Sequence, residues 1–298
     1  MPRLAYFGTP DMAVPPLRAL VDAGHDIVLC VTQPDRRRGR GTATTPSPLK
    51  AAAVELGLTV SHDMDDVVDA EVELAVVVAY GRIIPTRLLD LVPMVNLHFS
   101  LLPRWRGAAP VERAILAGDE ETGVCLMKVE AGLDSGPVYA VRSVPLSDDV
   151  TLTELRGQLV EVASALVVES LAGGVAGLPD PVPQRGEVVM ADKVTPADLH
   201  LEWTQSARQL HRVVRLGRAW TQFRGRRLGV LEADFDEAHT STADQTAPLP
   251  GALNGLRVAT GQGVLVLRRV QPESRSPMSA QDWVRGVRPS VGERLGTD

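Results

Sequence analysis

The chain opens with a strand, a helix and a second strand, and this order constrains its fold. Residues 4–7 predict the first strand, residues 12–23 a helix that ends at Gly24, and residues 27–31 the returning strand. Strands joined through a helix lie parallel in one sheet. Residues 74–79 are a continuous apolar run of the kind buried on both faces of such a sheet. The sequence therefore predicts an α/β fold, with an N-terminal Rossmann-like, mostly parallel sheet and flanking helices.

The turn after the first predicted strand argues against one large class of α/β enzymes. A dinucleotide-binding sheet needs three closely spaced glycines in that turn, where the backbone approaches the pyrophosphate. Only Gly8 is present here. A nicotinamide-dependent enzyme is therefore disfavoured.

Two polar side chains follow an apolar run in the first half of the chain. Asn96 and His98 are two residues apart, and side chains at this spacing share one face of a strand. Ser100 and Pro103 end the strand, and ligands of open α/β sheets bind beyond such ends. Asp134 lies in a glycine-flanked loop after another strand-like run, which suits it to orient or charge the imidazole. The sequence therefore predicts one site with an amide, an imidazole and a carboxylate.

These three groups suit the transfer of an acyl-level carbon to an amine. Attack by nitrogen on a carbonyl builds an oxyanion, which preorganised N–H donors stabilise, and leaves a proton that a base removes. Asn96 fits the first task, and His98 fits both. Because no serine or cysteine nucleophile is required, we expect direct transfer.

The residues around these positions carry a specific resemblance. Asn96-x-His98, the run Ser-Leu-Leu-Pro-x-x-Arg-Gly-Ala-Ala-Pro at 100–110 and Gly-Leu-Asp-x-Gly at 132–136 resemble the folate-dependent formyltransferase family. The resemblance is strongest to the members that act on methionyl-initiator tRNA. Further matching segments lie at residues 7–11, 33–35, 39–41, 46–50, 78–81 and 278–282. The resemblance therefore covers nearly the whole chain.

The resemblance implies roles for individual residues. Asn96 would hydrogen-bond the formyl oxygen, His98 would stabilise developing charge and move a proton, and Asp134 would hold His98 and accept or relay the proton through water. The implied co-substrate is 10-formyltetrahydrofolate. The implied folate-binding residues are Ser100, Leu101, Leu102, Pro103, Tyr80, Gly81 and Ile83.

A short basic run lies in a glycine- and proline-rich stretch that predicts a surface loop. It contains Arg36, Arg37, Arg38 and Arg40. Guanidinium groups follow phosphates with fork-shaped donors. A bare run of this kind is more typical of a solvated loop, but the resemblance implies a loop that grips the tRNA acceptor arm. Lys50 is assigned to the same tRNA contact.

Charge is divided unevenly along the chain. The formal net charge is -6, but residues 205–298 contain 14 Arg and no Lys against 9 Asp plus Glu, which gives +5. The remaining residues, with 17 basic and 28 acidic side chains, carry -11. A basic C-terminal third suggests a polyanionic partner. A solvated arginine-rich surface explains the same count.

A long helix and a connector separate the two halves. Thr151 and Glu154 form a capping-box pattern, and an apolar leucine stripe continues to the glycines at 173 and 174. Prolines and glycines between residues 177 and 186 then predict an irregular connector.

The C-terminal part has a different pattern. After residues 206–216, which have helical spacing, short predicted strands cover residues 228–233, 256–260 and 264–270, with a glycine-rich hairpin between the last two. A small β-barrel is predicted, and the resemblance implies an OB-like barrel that holds tRNA. We therefore expect a formyl transferase catalytic domain at 1–184, a linker at 185–204 and a C-terminal tRNA-binding β-barrel domain at 205–298.

Cysteine and histidine usage predicts no metal and no disulfide. Cys30 and Cys125 each lie in an apolar run, and the six histidines are scattered. The sequence has no secretory signal pattern and no apolar stretch long enough for a bilayer. We expect a cytoplasmic monomer without a membrane partner.

Two other functions remain open from the sequence. A related folate-dependent formyltransferase would act on a small amine, but such an enzyme has little use for a basic loop and an arginine-rich C-terminal part. A noncatalytic RNA-binding relative would keep the fold and lose turnover. Retention of Asn96, His98 and Asp134 argues against the latter.

Overall fold

The computed structural model describes residues 2–37, 44–237, 248–290 and 292–297. The chain forms two compact units, each assembled from separate stretches of sequence. The first unit comprises Met1–Val111, Glu121–Pro145 and Arg156–Asp192, and the second comprises Glu112–Glu120, Leu146–Leu155 and Lys193–Asp298. The expected domains 1–184 and 205–298 with their linker assume one continuous piece each, and stay a prediction.

Up to residue 192 the chain alternates strands and helices. The strands are β1 (Arg3–Gly8), β2 (Asp26–Val31), β3 (Arg36–Arg37), β4 (Thr44–Thr45), β5 (Val60–Ser61), β6 (Leu74–Val78), β7 (Met94–His98), β8 (Arg104–Gly107), β9 (Glu121–Lys128), β10 (Val138–Pro145) and β11 (Val189–Ala191). The helices are α1 (Val14–Asp22), α2 (Pro48–Glu55), α3 (Asp66–Asp69), α4 (Thr86–Leu89), α5 (Pro110–Ala117) and α6 (Leu152–Leu171), with short 3-10 turns at Asp11–Ala13 and Val175–Gly177.

A seven-stranded sheet organises the first unit. Its order is β10-β9-β7-β6-β1-β2-β5. β1, β2, β5, β6 and β7 run parallel to one another, and β9 runs antiparallel to both of its neighbours, β7 and β10. Every residue of β6 is buried, as its continuous apolar run predicts. The predicted mostly parallel sheet with flanking helices is confirmed.

Several strands of this unit, among them β8, β10 and β11, have no clear signal in the sequence. β8 reads Arg-Trp-Arg-Gly, and it is held by parallel pairing with β11, far along the chain. β10 lies at the edge of the large sheet and is half exposed, so it lacks a continuous apolar run. Such strands depend on distant partners rather than on local pattern.

An antiparallel sheet organises the second unit. Its elements are α7 (Ala207–Val214), β12 (Ala219–Phe223), β13 (Arg226–Asp236), β14 (Leu253–Asn254), β15 (Arg257–Ala259), β16 (Val264–Pro272), β17 (Met278–Ser279) and α8 (Ala280–Val287). The strand order is β12-β13-β16-β15-β14, with β17 on β16. The predicted helix and the three predicted strands are present, and the glycine-rich hairpin joins β15 to β16. Phe223 and Trp283 meet edge to face in its core.

The start of α6 follows the capping-box pattern. The Thr151 backbone N–H donates to Glu154 Oε2 at 2.9 Å, and the Glu154 N–H donates to Thr151 Oγ1 at 3.3 Å. The hydrogen bonds that the Thr151 backbone N–H and hydroxyl donate to Glu154 Oε2 lower the pKa of this carboxyl. Within the part of the chain that the structure describes, no helix combines the length and apolarity that a bilayer crossing needs.

The apolar cluster that contains Ala75 and Val77 of β6 also contains Leu88, and its packing can be tested by measuring stability. Leu88 is fully buried there, whereas Leu91, three residues later, is 63% exposed. We expect Leu88→Ala to lower the free energy of unfolding by about 2–5 kcal/mol, because it leaves a cavity. Leu91→Ala is the matched control and should change it by less than about 0.5 kcal/mol. Urea unfolding followed by circular dichroism measures both, and equal effects would contradict the packing described.

Candidate active site

Asn96 lies in the middle of the large sheet. Its strand, β7, has β6 on one side and β9 on the other, and Asn96 is paired with Val77 and Met127. The side chain is half buried. Among the described residues no hydrogen-bond partner of the Asn96 amide was found, so its N–H groups are free to bind a carbonyl oxygen.

His98 is buried, with both ring nitrogens facing protein atoms. Its Nε2 lies 2.9 Å from the Trp105 carbonyl oxygen, and its Nδ1 lies 3.7 Å from Asp134 Oδ2. Because a carbonyl only accepts, Nε2 carries the hydrogen of this bond. Nδ1 is therefore the nitrogen that can take up or release a proton, and protonation there would create a cation facing a carboxylate.

Asp134 reaches this position from a loop with an unusual backbone. Its φ is 46°, in the left-handed region. Oδ2 accepts a hydrogen bond from the Gly107 N–H at 2.8 Å, and the carboxylate is 16% exposed. The structure thus brings His98 and Asp134 together, with Asn96 two residues before His98 on the same strand.

Sequence reasoning missed the part played by β8. Its main chain contacts both the His98 and the Asp134 side chains, through the Trp105 carbonyl and the Gly107 N–H. Gly107 has a φ of 119°, and an added Cβ would lie 3.0 Å from the Ala191 carbonyl oxygen. The available signal was the Arg-Gly pair within the resemblance at 100–110, which points to a backbone position that only glycine fits.

The residues after His98 form a tight turn. Ser100 is fully buried, and its Oγ donates to the Arg104 carbonyl at 2.7 Å, so the hydroxyl is used within the turn. Leu101 and Leu102 are partly exposed, and Pro103 is buried. Of the four, the two leucines are the side chains with apolar surface available to a ligand.

The segment that follows β6 contains Tyr80, Gly81 and Ile83, and β6 is the neighbour of β7 in the sheet. The Tyr80 carbonyl accepts hydrogen bonds from Thr9 Oγ1 at 3.0 Å and Gln33 Nε2 at 2.8 Å. Gly81 has a φ of 77°, and burial raises the pKa of the Tyr80 phenol. Ile83 is 86% exposed. The exposed Ile83 side chain therefore offers apolar surface to a ligand.

The predicted tRNA-contacting residues fall partly inside the described chain. Arg36 and Arg37 form β3, which pairs with Thr45 and Thr44 of β4. Arg38 and Arg40 lie outside the described residues. Lys50 donates to Asp35 Oδ2 at 2.7 Å, so its ammonium is engaged in an ion pair with a residue just before the basic run.

Many arginines of the second unit are also paired. The ion pairs include Arg208 with Asp148 and Glu237, Arg224 with Glu293, Arg257 with Asp236, Arg268 with Asp234, and Arg269 with Glu232. Of these acidic partners only Asp148 lies outside residues 205–298, so the net charge of +5 already includes the others.

Metal binding has no support from side-chain clusters. Within the described ranges, no group of three or more His, Cys, Asp or Glu side chains is arranged to hold a metal ion. The expectation of a metal-free site stays a prediction.

Comparison with known proteins identifies the family. The family described as "Formyl transferase" matches residues 2–171, and "Formyl transferase, C-terminal domain" matches residues 193–288. The chain belongs to the formyl transferase family. The match covers both units, and the chain is an enzyme of this family.

Individual relatives agree with this assignment. A protein of Jannaschia sp. named methionyl-tRNA formyltransferase is 40% identical over 98% of this chain and 99% of its own length. A Helicobacter canadensis N-formyltransferase, solved with folinic acid and dTDP-3-aminofucose, is similar in fold, with a TM-score of 0.68, 14% identity and coverage of 90% of this chain and 99% of that one. Aquifex aeolicus HypX with tetrahydrofolic acid gives a TM-score of 0.66 at 16% identity over 98% of this chain, which spans 48% of that protein.

Cys125 lies opposite His98 in the sheet. Direct transfer requires no cysteine nucleophile, so we expect this thiol to be unreactive in the folded enzyme. Burial raises the pKa of Cys125 to about 11 and that of Cys30 to about 12, and both thiols are free. At about pH 8 nearly all of each thiol is protonated, so we expect iodoacetamide to label neither in the folded enzyme. Labelling of Cys125 should increase as the pH approaches its pKa.

Unfolded protein in urea is the control, and both cysteines should react there. Rapid labelling of Cys125 in the folded enzyme near neutral pH would contradict its burial. It would also make the Cys125 thiolate a candidate nucleophile and so argue against direct transfer.

Proposed function

We propose that this enzyme transfers a formyl group from 10-formyltetrahydrofolate to the α-amino group of methionyl-initiator tRNA, for translation initiation. It would act as a cytoplasmic monomer without a metal ion. The proposed acceptor is supported by the 40% identity, over nearly the whole of both chains, to a protein named methionyl-tRNA formyltransferase. Members of the same fold solved with folinic acid or tetrahydrofolic acid support a folate donor.

The acceptor nitrogen needs little activation. An α-amino group has a reference pKa of roughly 7.7 to 8.0, and a neighbouring ester lowers it further. The unprotonated amine attacks the formyl carbon and forms a C–N bond. The bond from that carbon to folate N10 then breaks, N10 keeps the electron pair and gains a proton, and the amine loses one. The reaction is thus balanced without an external reagent.

The three side chains divide this work. Asn96 would donate to the oxygen that becomes an oxyanion, because its amide has no partner among the described residues. His98 would take up the amine proton at Nδ1, because its Nε2 is bonded to the Trp105 carbonyl. Asp134, 3.7 Å from Nδ1, would stabilise the resulting imidazolium or accept the proton through water.

The proposed folate contacts use backbone and apolar surface near Asn96. Leu101 and Leu102 are partly exposed after β7, and Ile83 is almost fully exposed after β6. A planar ring system would bury this apolar surface, and each buried CH₂ contributes about 0.8 kcal/mol. Tyr80, Gly81, Ser100 and Pro103 would contribute by holding the two turns in shape.

The proposed tRNA contacts rest mainly on the sequence. The basic loop begins at Arg36 and Arg37 of β3 and includes Arg38 and Arg40, while Lys50 is already paired with Asp35. We therefore propose that Lys50 supports the loop's ends and that the arginines contact phosphate. Formylation should then weaken as salt rises, because phosphate contacts release counterions.

One assay separates the proposed function from its alternatives. Purified enzyme is given 10-formyltetrahydrofolate with charged initiator tRNA, or with glycinamide ribonucleotide or a nucleotide-linked amino sugar. Product on the tRNA alone would support the proposal. Product on a small amine alone would instead indicate a formyltransferase that acts on a small amine. Salt-sensitive RNA binding with no product on any acceptor would instead indicate a noncatalytic relative.

Replacement of the three side chains tests their roles. Asn96→Ala, His98→Ala and Asp134→Asn should each lower kcat by about 10²–10³-fold, in the range of lost oxyanion donors and acid–base groups. Asp134→Asn retains an oxygen for the Gly107 N–H and loses only the charge facing His98. Single-turnover formylation of charged tRNA measures the effect.

Asp180→Asn is the matched control, because Asp180 is exposed and lies in the same unit. It should leave kcat and the melting temperature unchanged. Near-normal turnover of all three site variants would refute the assigned roles.

A further inference from the structure

A glutamine in the connector before β11 makes an unusually complete set of hydrogen bonds. Gln184 is half buried, and its Oε1 accepts from Arg106 Nε at 3.0 Å and from Arg106 Nη2 at 2.6 Å. Its Nε2 donates to the carbonyl oxygens of Asp134 and Gly136, each at 2.8 Å. A primary amide has two donor hydrogens and two acceptor lone pairs. All four are used.

These bonds converge on the backbone of the loop that carries Asp134. Asp134 has a left-handed backbone, a conformation that a non-glycine residue keeps only when its surroundings hold it. Gly107 contacts the carboxylate, whereas Gln184 contacts the peptide carbonyl of the same residue. Side chain and main chain of Asp134 are thus held from two separate places.

Arg106 links the Gln184 hydrogen bonds to β8, the strand that also contains Gly107. It lies in β8 between Trp105 and Gly107, whose main-chain groups contact His98 and Asp134. The paired Arg106 donors orient the Gln184 amide, so that its oxygen faces Arg106 and its nitrogen faces the Asp134 loop. A flipped amide would place donor against donor and oxygen against carbonyl, which is unfavourable.

We propose that Gln184, oriented by Arg106, is a positioning residue that keeps the Asp134 carboxylate facing His98 Nδ1. The proposal rests on the proposed function, in which that carboxylate acts on the imidazole during formyl transfer. Gln184 acts through Asp134 and touches no reacting atom. Its replacement should therefore change kcat rather than the KM for either substrate.

The sharpest variant is Gln184→Glu. The carboxylate still accepts from Arg106, but it has no hydrogen to donate to the Asp134 and Gly136 carbonyls. A displacement of about 1 Å in a reacting group can cost 10²-fold in rate, so we expect kcat to fall about 10- to 100-fold. KM for both substrates should stay within about twofold and the melting temperature should not change, because fold and pocket are retained.

Two further variants separate charge from geometry. Gln184→Met lacks the donors without adding charge and should lower kcat as Gln184→Glu does. Arg106→Met should lower kcat through loss of orientation, and the double variant with Gln184→Met should be no slower than Gln184→Met alone. Gln158→Glu, on an exposed position of α6 in the same unit, is the control for the charge change and should match wild type.

Hydrogen–deuterium exchange supplies a readout that does not depend on activity. Peptides covering residues 130–137 should exchange faster in Gln184→Glu than in wild type, with peptides elsewhere unchanged. If wild type does not formylate charged tRNA, the proposed function fails, and exchange alone decides the positioning role. Unchanged kcat with unchanged exchange overturns the proposal, as does a rise in KM or a lowered melting temperature that accounts for the lost rate.

Discussion

The pairing of β8 with β11 is the contact on which the candidate site depends. β8 has four residues and little apolar content, and it is held because β11 lies parallel to it and the Ala191 carbonyl accepts from the backbone N–H groups of Ala108 and Ala109. Once in place, β8 directs the Trp105 carbonyl at His98 and the Gly107 N–H at Asp134. One short main-chain segment thereby sets the hydrogen on the imidazole and the orientation of the carboxylate.

The large sheet explains why the other site residues are neighbours. β6 and β7 are adjacent and parallel, so the turns after them, with Tyr80 and with Ser100, begin at the same edge. Asp134 arrives differently. β9 is antiparallel to β7, and its last residue lies opposite Val95, so the following loop must fold back to bring Asp134 to His98. That return is the step that the Gly107 and Gln184 hydrogen bonds stabilise.

Charge in this protein acts mostly through specific pairs. The ion pairs of the second unit are largely exposed, so solvent screens them and they contribute little to stability. Their effect is to distribute charge, not to hold the fold. Lys50 follows the same pattern, because its ammonium is paired with the Asp35 carboxylate.

Local pattern in the sequence was sufficient for the parallel sheet, the capped start of α6 and the shared face of Asn96 and His98, because each depends on neighbours within a few residues. The family resemblance added Asp134 to the set. Only the tertiary structure decided that Nδ1 of His98 faces that carboxylate, that β8 exists, and that Gln184 holds the loop. The physical reason is that these contacts join residues tens of positions apart, where the geometry is set by packing of the whole unit rather than by local preference.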